Sequence, residues 1–211
     1  MMINILTYIS SGLIALGFIL YFVLILLNRN KITNNDGFNV TKDILNEYDS
    51  INIIETKSII TTYNIKRNVI KLSSKCYYGN SISDIGISLM EAGISVVDNG
   101  KNKFISLIKM MISNLKCLYV LPLLAFIFNC LSLSFLDAKV GIFILLIFSI
   151  LSYMLISIKS DAISWINNKL KIKEKLNVNK FLNKILLFDK LIFFGELVMI
   201  IKFVAIILEF N

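Results

Sequence analysis

The sequence contains no histidine among its 211 residues, only one proline and one tryptophan, and three cysteines. Without histidine, the chain has none of the Ser-His or Cys-His pairs that activate a nucleophile in many hydrolases. The cysteines, Cys76, Cys117 and Cys130, share no spacing typical of metal ligands, so we expect three free thiols and no disulfide. The sequence therefore shows neither a histidine-dependent nucleophile nor a cysteine metal site, and its apolar residues are the more informative feature.

Long apolar runs are the main feature of the sequence. Hydrophobic residues make up 56% of the chain and the mean hydropathy is +0.75, whereas a soluble domain is roughly half apolar. Four runs are each about as long as the roughly 20 helical residues needed to cross a hydrocarbon core. They are residues 3–27, 117–136, 140–158 and 191–208. The sequence therefore predicts an integral membrane protein with about four transmembrane helices, the first of them an uncleaved anchor.

The charged residues between these runs predict the orientation and the localisation. Residues 28–116 hold twelve Lys and Arg against eight Asp and Glu, and residues 159–190 hold eight against three. By the positive-inside rule both segments face the cytoplasm, so we expect a multi-pass protein of the cell inner membrane. Many of the basic residues behind the net charge of +8 lie close to the predicted membrane boundaries. We expect the lipid bilayer, and no nucleic acid, as their partner.

These features predict a mainly α membrane protein with a small cytoplasmic α+β portion. We expect an N-terminal transmembrane anchor at residues 1–27, a cytoplasmic α+β segment at 28–116, a transmembrane helical hairpin at 117–158, a basic cytoplasmic or interfacial helical segment at 159–190, and a C-terminal transmembrane helix at 191–211. No internal repeat or low-complexity linker interrupts this order. The segment 28–116 is therefore the one place where a small folded domain is expected.

Residues 28–116 carry patterns of both secondary-structure types. The stretch VTKDILNEY has apolar residues at helical spacing, with Asn39 or Thr41 as its N-cap, whereas INIIE and NVIKLS are β-branched runs of strand length. Helical periodicity returns from Ser81 to Val97, where one apolar stripe forms. The stripe comprises Ile82, Ile85, Leu89, Ala92 or Gly93, and Val96. Glu91 lies beside it, and a carboxylate there needs a partner because desolvating a lone charge is costly.

The string NVIKLSSKCYYGNSISDIGISLMEAGISVVD, residues 68–98, and the order of elements around it resemble the YugP-like family of membrane neutral zinc metallopeptidases. The resemblance implies a cytoplasm-facing zinc site on an HExxH helix, with two histidines and a downstream acid as ligands and the motif glutamate as general base. The three ligand positions are Met90, Ile94 and Lys159 in this sequence, and the base position is Glu91. The family's HYDP stretch corresponds to residues 62–65, which read TYNI.

Because no ligand of the family's zinc site is retained, we predict no bound metal, no cofactor and no catalysis. The chain is then a pseudoenzyme with Glu91 as a vestigial general base. We expect it to act by binding a membrane or cytoplasmic partner, such as an active paralogue. Two alternatives stay open at this point: a divergent but active membrane metallopeptidase with an unrecognised metal site, and a small membrane immunity or accessory protein.

Four charged residues remain to be explained. Lys159 either pairs with Glu91 and replaces the structural charge of the missing zinc, or extends to the lipid headgroups while Glu91 is solvated. Glu196 and Lys202 lie inside the last apolar run, where a charge costs on the order of 2.5 to 3.5 kcal/mol. They are six residues apart, off the favourable i+4 spacing. For Lys202, a functional contact and extension towards the membrane surface are both open.

Overall fold

The computed structural model describes residues 2–48, 50–58, 61–64, 67–98, 135–170 and 175–209. Over these residues the protein is mainly helical and contains one small sheet, as the composition predicts. The elements in chain order are α1 (Met2–Arg29), α2 (Gly37–Ile44), β1 (Asn52–Thr56), β2 (Thr62–Asn64), β3 (Val69–Ser73), α3 (Ser74–Tyr78), α4 (Ile82–Asp98), α5 (Phe135–Lys169) and α6 (Lys175–Glu209).

Three of the described helices are long and apolar enough to cross a membrane. They are Ile3–Arg29, Leu145–Lys169 and Lys175–Leu208, with mean hydropathies of 2.5, 1.6 and 2.6. These helices contain three of the four spans that the sequence predicts. The remaining predicted span, residues 117–136, lies almost wholly outside the described residues.

Helices α5 and α6 extend well beyond the apolar runs that they contain. Buried residues recur along the charged end of α5 at helical spacing, at Ile158, Ala162 and Ile166, so one apolar face continues past the uncharged run. Val178 and Phe181 begin the same pattern on α6. Helix α5 ends at Lys169, Leu170 is not helical and α6 begins at Lys175, while residues 171–174 lie outside the described residues.

The chain forms two compact units. The first, which we call the helical unit, consists of the described residues of Met1–Tyr21, Lys116–Ile156 and Leu187–Asn211. Its core contains Ile14, Leu145, Met199, Phe203 and Ile206. The second, the mixed unit, consists of the described residues of Phe22–Leu115 and Ser157–Leu186. The five segments predicted from the sequence, each with its own role, stay a prediction.

The sheet of the mixed unit has the strand order β1-β3-β2. Strand β1 pairs with β3 in parallel, and β2 pairs with β3 in antiparallel fashion. The strands predicted from INIIE and NVIKLS are confirmed as β1 and β3, and Ile70 and Leu72 of β3 are fully buried, as the alternation indicates. Strand β2 lies in the polar stretch TTYNIKR, which the sequence pattern predicts only as a connection between strands.

Helix α2 begins earlier than its apolar pattern indicates. Asp36 is the N-cap, and its Oδ1 accepts a hydrogen bond of 2.7 Å from the backbone N–H of Asn39. The prediction of Asn39 or Thr41 as N-cap is therefore wrong, because both residues lie inside the helix. An aspartate is among the strongest N-caps, and its carboxylate satisfies an N–H that has no partner within the first turn.

Candidate functional site

Helix α4 carries three of the residues that the family resemblance singles out, namely Met90, Glu91 and Ile94. It spans Ile82–Asp98, which confirms the predicted helix to within one residue at each end. Ser81 precedes its first turn, where the Asp84 N–H donates to Ser81 Oγ over 3.1 Å and Ser81 Oγ donates to Asp84 Oδ2 over 2.6 Å. This reciprocal arrangement satisfies a helix-end donor and holds the start of the helix in place.

Helix α4 is enclosed by other elements of the mixed unit. It contacts α2, α3, β2 and β3. The absence of a side chain at Gly93 admits Ala162 and Ile166 of α5, since a Cβ on Gly93 would lie 2.9 Å from Ala162 Cβ. The ring of Phe181 from α6 fills the space that a side chain at Gly86 would occupy.

The enclosure explains why burial on α4 is not limited to the predicted stripe. The stripe residues Ile82, Ile85, Leu89 and Ala92 are buried, as predicted. Polar residues on the other faces are buried as well, namely Ser83, Asp84, Ser88 and Ser95. The Ser88 hydroxyl donates to the carbonyl of Asp84 over 2.8 Å and that of Ser95 to the carbonyl of Ala92 over 2.7 Å, so these hydroxyls are satisfied within the helix.

Glu91 is half-buried and faces the edge strand β2. Its Oε2 accepts a hydrogen bond of 2.9 Å from the backbone N–H of Tyr63. Burial raises the pKa of the Glu91 carboxyl from 4.5 to about 7, while the Tyr63 hydrogen bond and the positive charge of Lys159 each lower it. The carboxylate is thus held by a backbone donor and lies within the electrostatic field of a lysine from another helix.

The resemblance assigns Met90, Ile94 and Lys159 to the family's zinc-ligand positions. Met90 is buried on α4, and Ile94, one turn further along, is half-buried. Lys159 lies on α5, three residues before Ala162, the residue that packs against Gly93. This helix contact brings the Lys159 charge near Glu91, although the two residues are far apart in the sequence. A direct Glu91–Lys159 ion pair stays a prediction.

The side chains at these positions do not fit a catalytic zinc ion. Zinc in proteins is bound by thiolate, imidazole or carboxylate groups in tetrahedral geometry. A thioether, an alkyl group and an ammonium group stand at the ligand positions Met90, Ile94 and Lys159. Over the part of the chain that the structure describes, no three His, Cys, Asp or Glu residues lie together in an arrangement that could hold a metal.

The sequence profile of a family described as "Putative neutral zinc metallopeptidase" matches residues 26–184, which is most of the chain. This chain belongs to that family. The resemblance predicted from residues 68–98 is therefore confirmed, and the matched range contains α4 and Lys159. No curated protein and no solved structure matches the chain. The assignment of Glu91 to the motif glutamate, and of Met90 and Ile94 to ligand positions, stays a prediction from the resemblance.

The sequence did not reveal the backbone N–H of Tyr63 as the partner of Glu91. A main-chain donor has no side-chain signature, so only the three-dimensional position of β2 identifies it. The one available signal is that the resemblance aligns residues 62–65 with the family's HYDP stretch.

Glu196 and Lys202 lie in the helical unit and do not belong to the α4 site. Glu196 is almost fully buried, and its Oε1 accepts a hydrogen bond of 3.2 Å from the Ser152 hydroxyl. Lys202 is also buried, with its Nζ 5.5 Å from the centre of the Phe203 ring. The functions of these two charges stay predictions.

Proposed function

We propose that this protein is a catalytically inactive membrane member of the neutral zinc metallopeptidase family that acts by binding a partner. The observation that carries the proposal is the environment of Glu91. Its Oε2 accepts the Tyr63 N–H, and the charge that acts on it is the Lys159 ammonium. In a zinc peptidase the same carboxylate would face a metal-bound water.

The chemistry of zinc peptidases explains why these changes are expected to abolish hydrolysis. Two histidines at i and i+4 hold the metal, the metal lowers the pKa of its bound water towards about 7, and the glutamate accepts the released proton. Glu91 alone has no activated water to deprotonate. No histidine anywhere in the sequence can replace Met90 or Ile94 as a ligand.

Lys159 has a structural role in this proposal. The resemblance assigns the position of Lys159 to an acidic residue that binds the zinc ion, whereas this chain has a positively charged ammonium group at that position. Its charge favours the ionised form of Glu91 and so lowers the pKa of that carboxyl. Lys159 therefore replaces part of the zinc's electrostatic function and links α5 to α4.

The three long apolar helices support a location in a membrane. We place the protein in the cell inner membrane with its basic segments in the cytoplasm, because of the positive-inside rule. There it binds either a membrane protein or the substrates of an active paralogue. Membership of the family together with an altered site supports binding without hydrolysis.

The metal content of the detergent-purified, full-length protein tests the absence of a zinc site. We expect no stoichiometric zinc by elemental mass spectrometry, either in the native protein or in Glu91→Ala prepared identically. About one zinc per chain in the native protein, lost in Glu91→Ala, would contradict the proposal. Peptide hydrolysis that depends on Glu91 would likewise identify a divergent active metallopeptidase.

A gain-of-function variant tests whether the ligand positions are assigned correctly. We expect Met90→His/Ile94→His/Lys159→Glu to bind about one zinc per chain, because two imidazoles and one carboxylate form a typical catalytic donor set. The matched control keeps Lys159→Glu and replaces Met90 and Ile94 by glutamine, which removes both imidazoles. A correctly folded triple variant that binds no more zinc than this control would overturn the assignment of these positions.

A further inference from the structure

Three aromatic residues cluster at the surface of the mixed unit, where Phe38 and Tyr77 are half-buried and Tyr78 is exposed. The rings of Phe38 and Tyr77 are stacked with 4.6 Å between their centres, and Tyr77 meets Tyr78 edge-on at 4.9 Å. Tyr78 is 66% exposed, which is high for an aromatic residue in a structured region. We call Phe38, Tyr77 and Tyr78 the aromatic patch.

Hydrogen bonds tie this patch to the end of helix α1. Ile32 forms an isolated antiparallel bridge with Ser81, three residues after Tyr78. On either side of the bridge, the Ile82 N–H donates to the Lys31 carbonyl over 3.0 Å, and the Thr33 N–H donates to the Asn80 carbonyl over 2.8 Å. The position of the patch relative to the end of α1 is therefore fixed by backbone contacts.

The length of the connection limits the distance of Ile32 from the end of helix α1. Helix α1 has no charged residue before Arg29. From Arg29 to Ile32 the chain advances three residues, which span at most about 10 Å. A bilayer is about 30 Å thick in its hydrocarbon core and about 40 to 45 Å with its headgroups, so each headgroup layer is roughly 5 to 8 Å deep. Ile32 thus falls within or at the edge of that layer.

The exposed surface between α1 and the patch has the composition of a membrane interface. Phe22 and Leu27 on α1 are 61% and 65% exposed, and Ile32 beyond the helix is 72% exposed. Basic residues accompany these apolar ones, since Arg29 and Lys31 are exposed and Lys42 Nζ lies 5.9 Å from the centre of the Phe38 ring. Aromatic and basic side chains together are enriched at the level of the headgroups.

We propose that the aromatic patch and Ile32 lie in the phospholipid headgroup layer of the membrane that α1 crosses. The Tyr78 hydroxyl keeps its 3.0 Å hydrogen bond to Glu55 while its ring contacts lipid. The mixed unit is then attached to the bilayer at a second point, which fixes the orientation of α4 relative to the membrane. This inference rests on the proposed function only in that α1 must span a bilayer.

Lipid quenching of a single tryptophan in the full-length protein, reconstituted into phosphatidylcholine and phosphatidylglycerol vesicles, tests the proposal. Trp165 is the natural tryptophan, and Trp165→Phe keeps a ring against Tyr48, its edge-on neighbour at 6.0 Å. In this background, Ile32→Trp and Tyr78→Trp report on the surface. Phe22→Trp reports on the helix itself. Arg67→Trp is the matched control, because Arg67 is exposed and precedes β3 at the end opposite α3.

The quenchers are lipids brominated near the headgroup end of the acyl chain. We expect Ile32→Trp and Tyr78→Trp to be quenched at least about twofold more than Arg67→Trp, since interfacial aromatic residues lie at this depth. The headgroup contact alone would be overturned if Ile32→Trp and Tyr78→Trp were quenched no more than Arg67→Trp while Phe22→Trp was strongly quenched. Absence of quenching at Phe22→Trp would instead contradict the membrane location of α1.

Discussion

The backbone N–H of Tyr63 donates a 2.9 Å hydrogen bond to Oε2 of Glu91 and so joins the edge strand β2 to helix α4. The strand itself is held firmly. Tyr63 pairs with Ile70 of β3, its side chain is buried, and its hydroxyl donates to Asn68 Oδ1 over 3.0 Å. An edge strand normally leaves donors without partners. Here one such donor binds the carboxylate that the resemblance assigns to the general-base position.

The pKa of Glu91 makes the stability of the protein depend on pH. Burial raises this pKa from 4.5 to about 7 in the folded state, so folding favours the protonated carboxyl. The contribution of Glu91 to stability is therefore fully present below pH 4.5, decreases as the pH rises to about 7, and is constant above that. A shift of this size corresponds to a loss on the order of 3 kcal/mol across the window.

Glu91→Gln isolates this contribution, because the amide is nearly isosteric but does not titrate. The free energy of unfolding in detergent, measured between pH 4 and 8 for both proteins, should show a steeper decline in the native protein than in Glu91→Gln. Other titrating groups contribute equally to both curves and cancel in the difference. Parallel curves would show that Glu91 titrates normally in the folded protein.

A double-mutant cycle tests the predicted pair between Glu91 and Lys159. At pH 8, where Glu91 is ionised, we expect Lys159→Ala to destabilise the protein, and Glu91→Ala to add little further loss in that background. The expected coupling is about 0.5 to 3 kcal/mol. Additive losses at pH 8 would contradict the pair.

The same cycle at pH 5 is its internal control. Glu91 is then largely protonated, since its pKa is about 7, and a neutral carboxyl has no net charge for Lys159 to attract. We expect the coupling to shrink towards zero at this pH. A coupling that is equal at both pH values would indicate packing rather than charge. Lys159→Ala alone should also raise the pKa of Glu91 further, because a charge that lowers it has been removed.

Strongly periodic segments were predictable from the sequence, whereas short or main-chain features were not. Helix α4 was predicted to within a residue, because its apolar stripe repeats over four turns. Strand β2 was missed because three residues are too few for an alternating pattern to be recognised. Its existence depends on pairing with β3, a tertiary effect that overrides weak local preference.

The candidate site illustrates the same limit. The resemblance assigned Met90, Glu91, Ile94 and Lys159 to positions of one site, and the structure brings Lys159 near Glu91. What joins them is the close approach of α5 to α4 at Gly93, a property of two surfaces that no single stretch of sequence contains. The sequence also predicted a single buried face on α4. Ser88 and Ser95 can be buried on the other faces because they donate to carbonyls of their own helix.

Ser81→Ala should weaken the start of helix α4. The Ser81 hydroxyl accepts a hydrogen bond from the Asp84 N–H and donates one of 2.6 Å to Asp84 Oδ2. The variant removes both bonds, so a buried carboxyl oxygen loses a partner. We expect a loss of about 1 to 2 kcal/mol in the free energy of unfolding, the usual cost of removing an N-cap. Ser164→Ala, at an exposed position inside helix α5, is the control and should change stability by less than about 0.5 kcal/mol. Equal losses in both variants would show that the cap does not stabilise α4.

Gly93→Ala should separate α5 from α4 and thereby disturb the environment of Glu91. The new Cβ would lie 2.9 Å from Ala162 Cβ and 3.0 Å from the Ala162 carbonyl oxygen, so a helix backbone must shift. Overpacking of this kind costs about 1 to 3 kcal/mol. Gly12→Ala is the matched control on α1, because a Cβ there meets nothing within 4 Å, and we expect a neutral or slightly stabilising effect.

Two measurements on Gly93→Ala separate loss of packing from loss of the electrostatic contact. Ala162→Gly in the same chain removes the nearest of the three atoms within 3.0 Å of the new Cβ and should restore part of the stability. The difference in unfolding free energy between pH 4 and 8 should grow in Gly93→Ala, because moving Lys159 away raises the pKa of Glu91 above about 7. Lost stability with unchanged pH dependence would mean that Lys159 follows Glu91 when the helices move, and that the Gly93 contact does not position the charge.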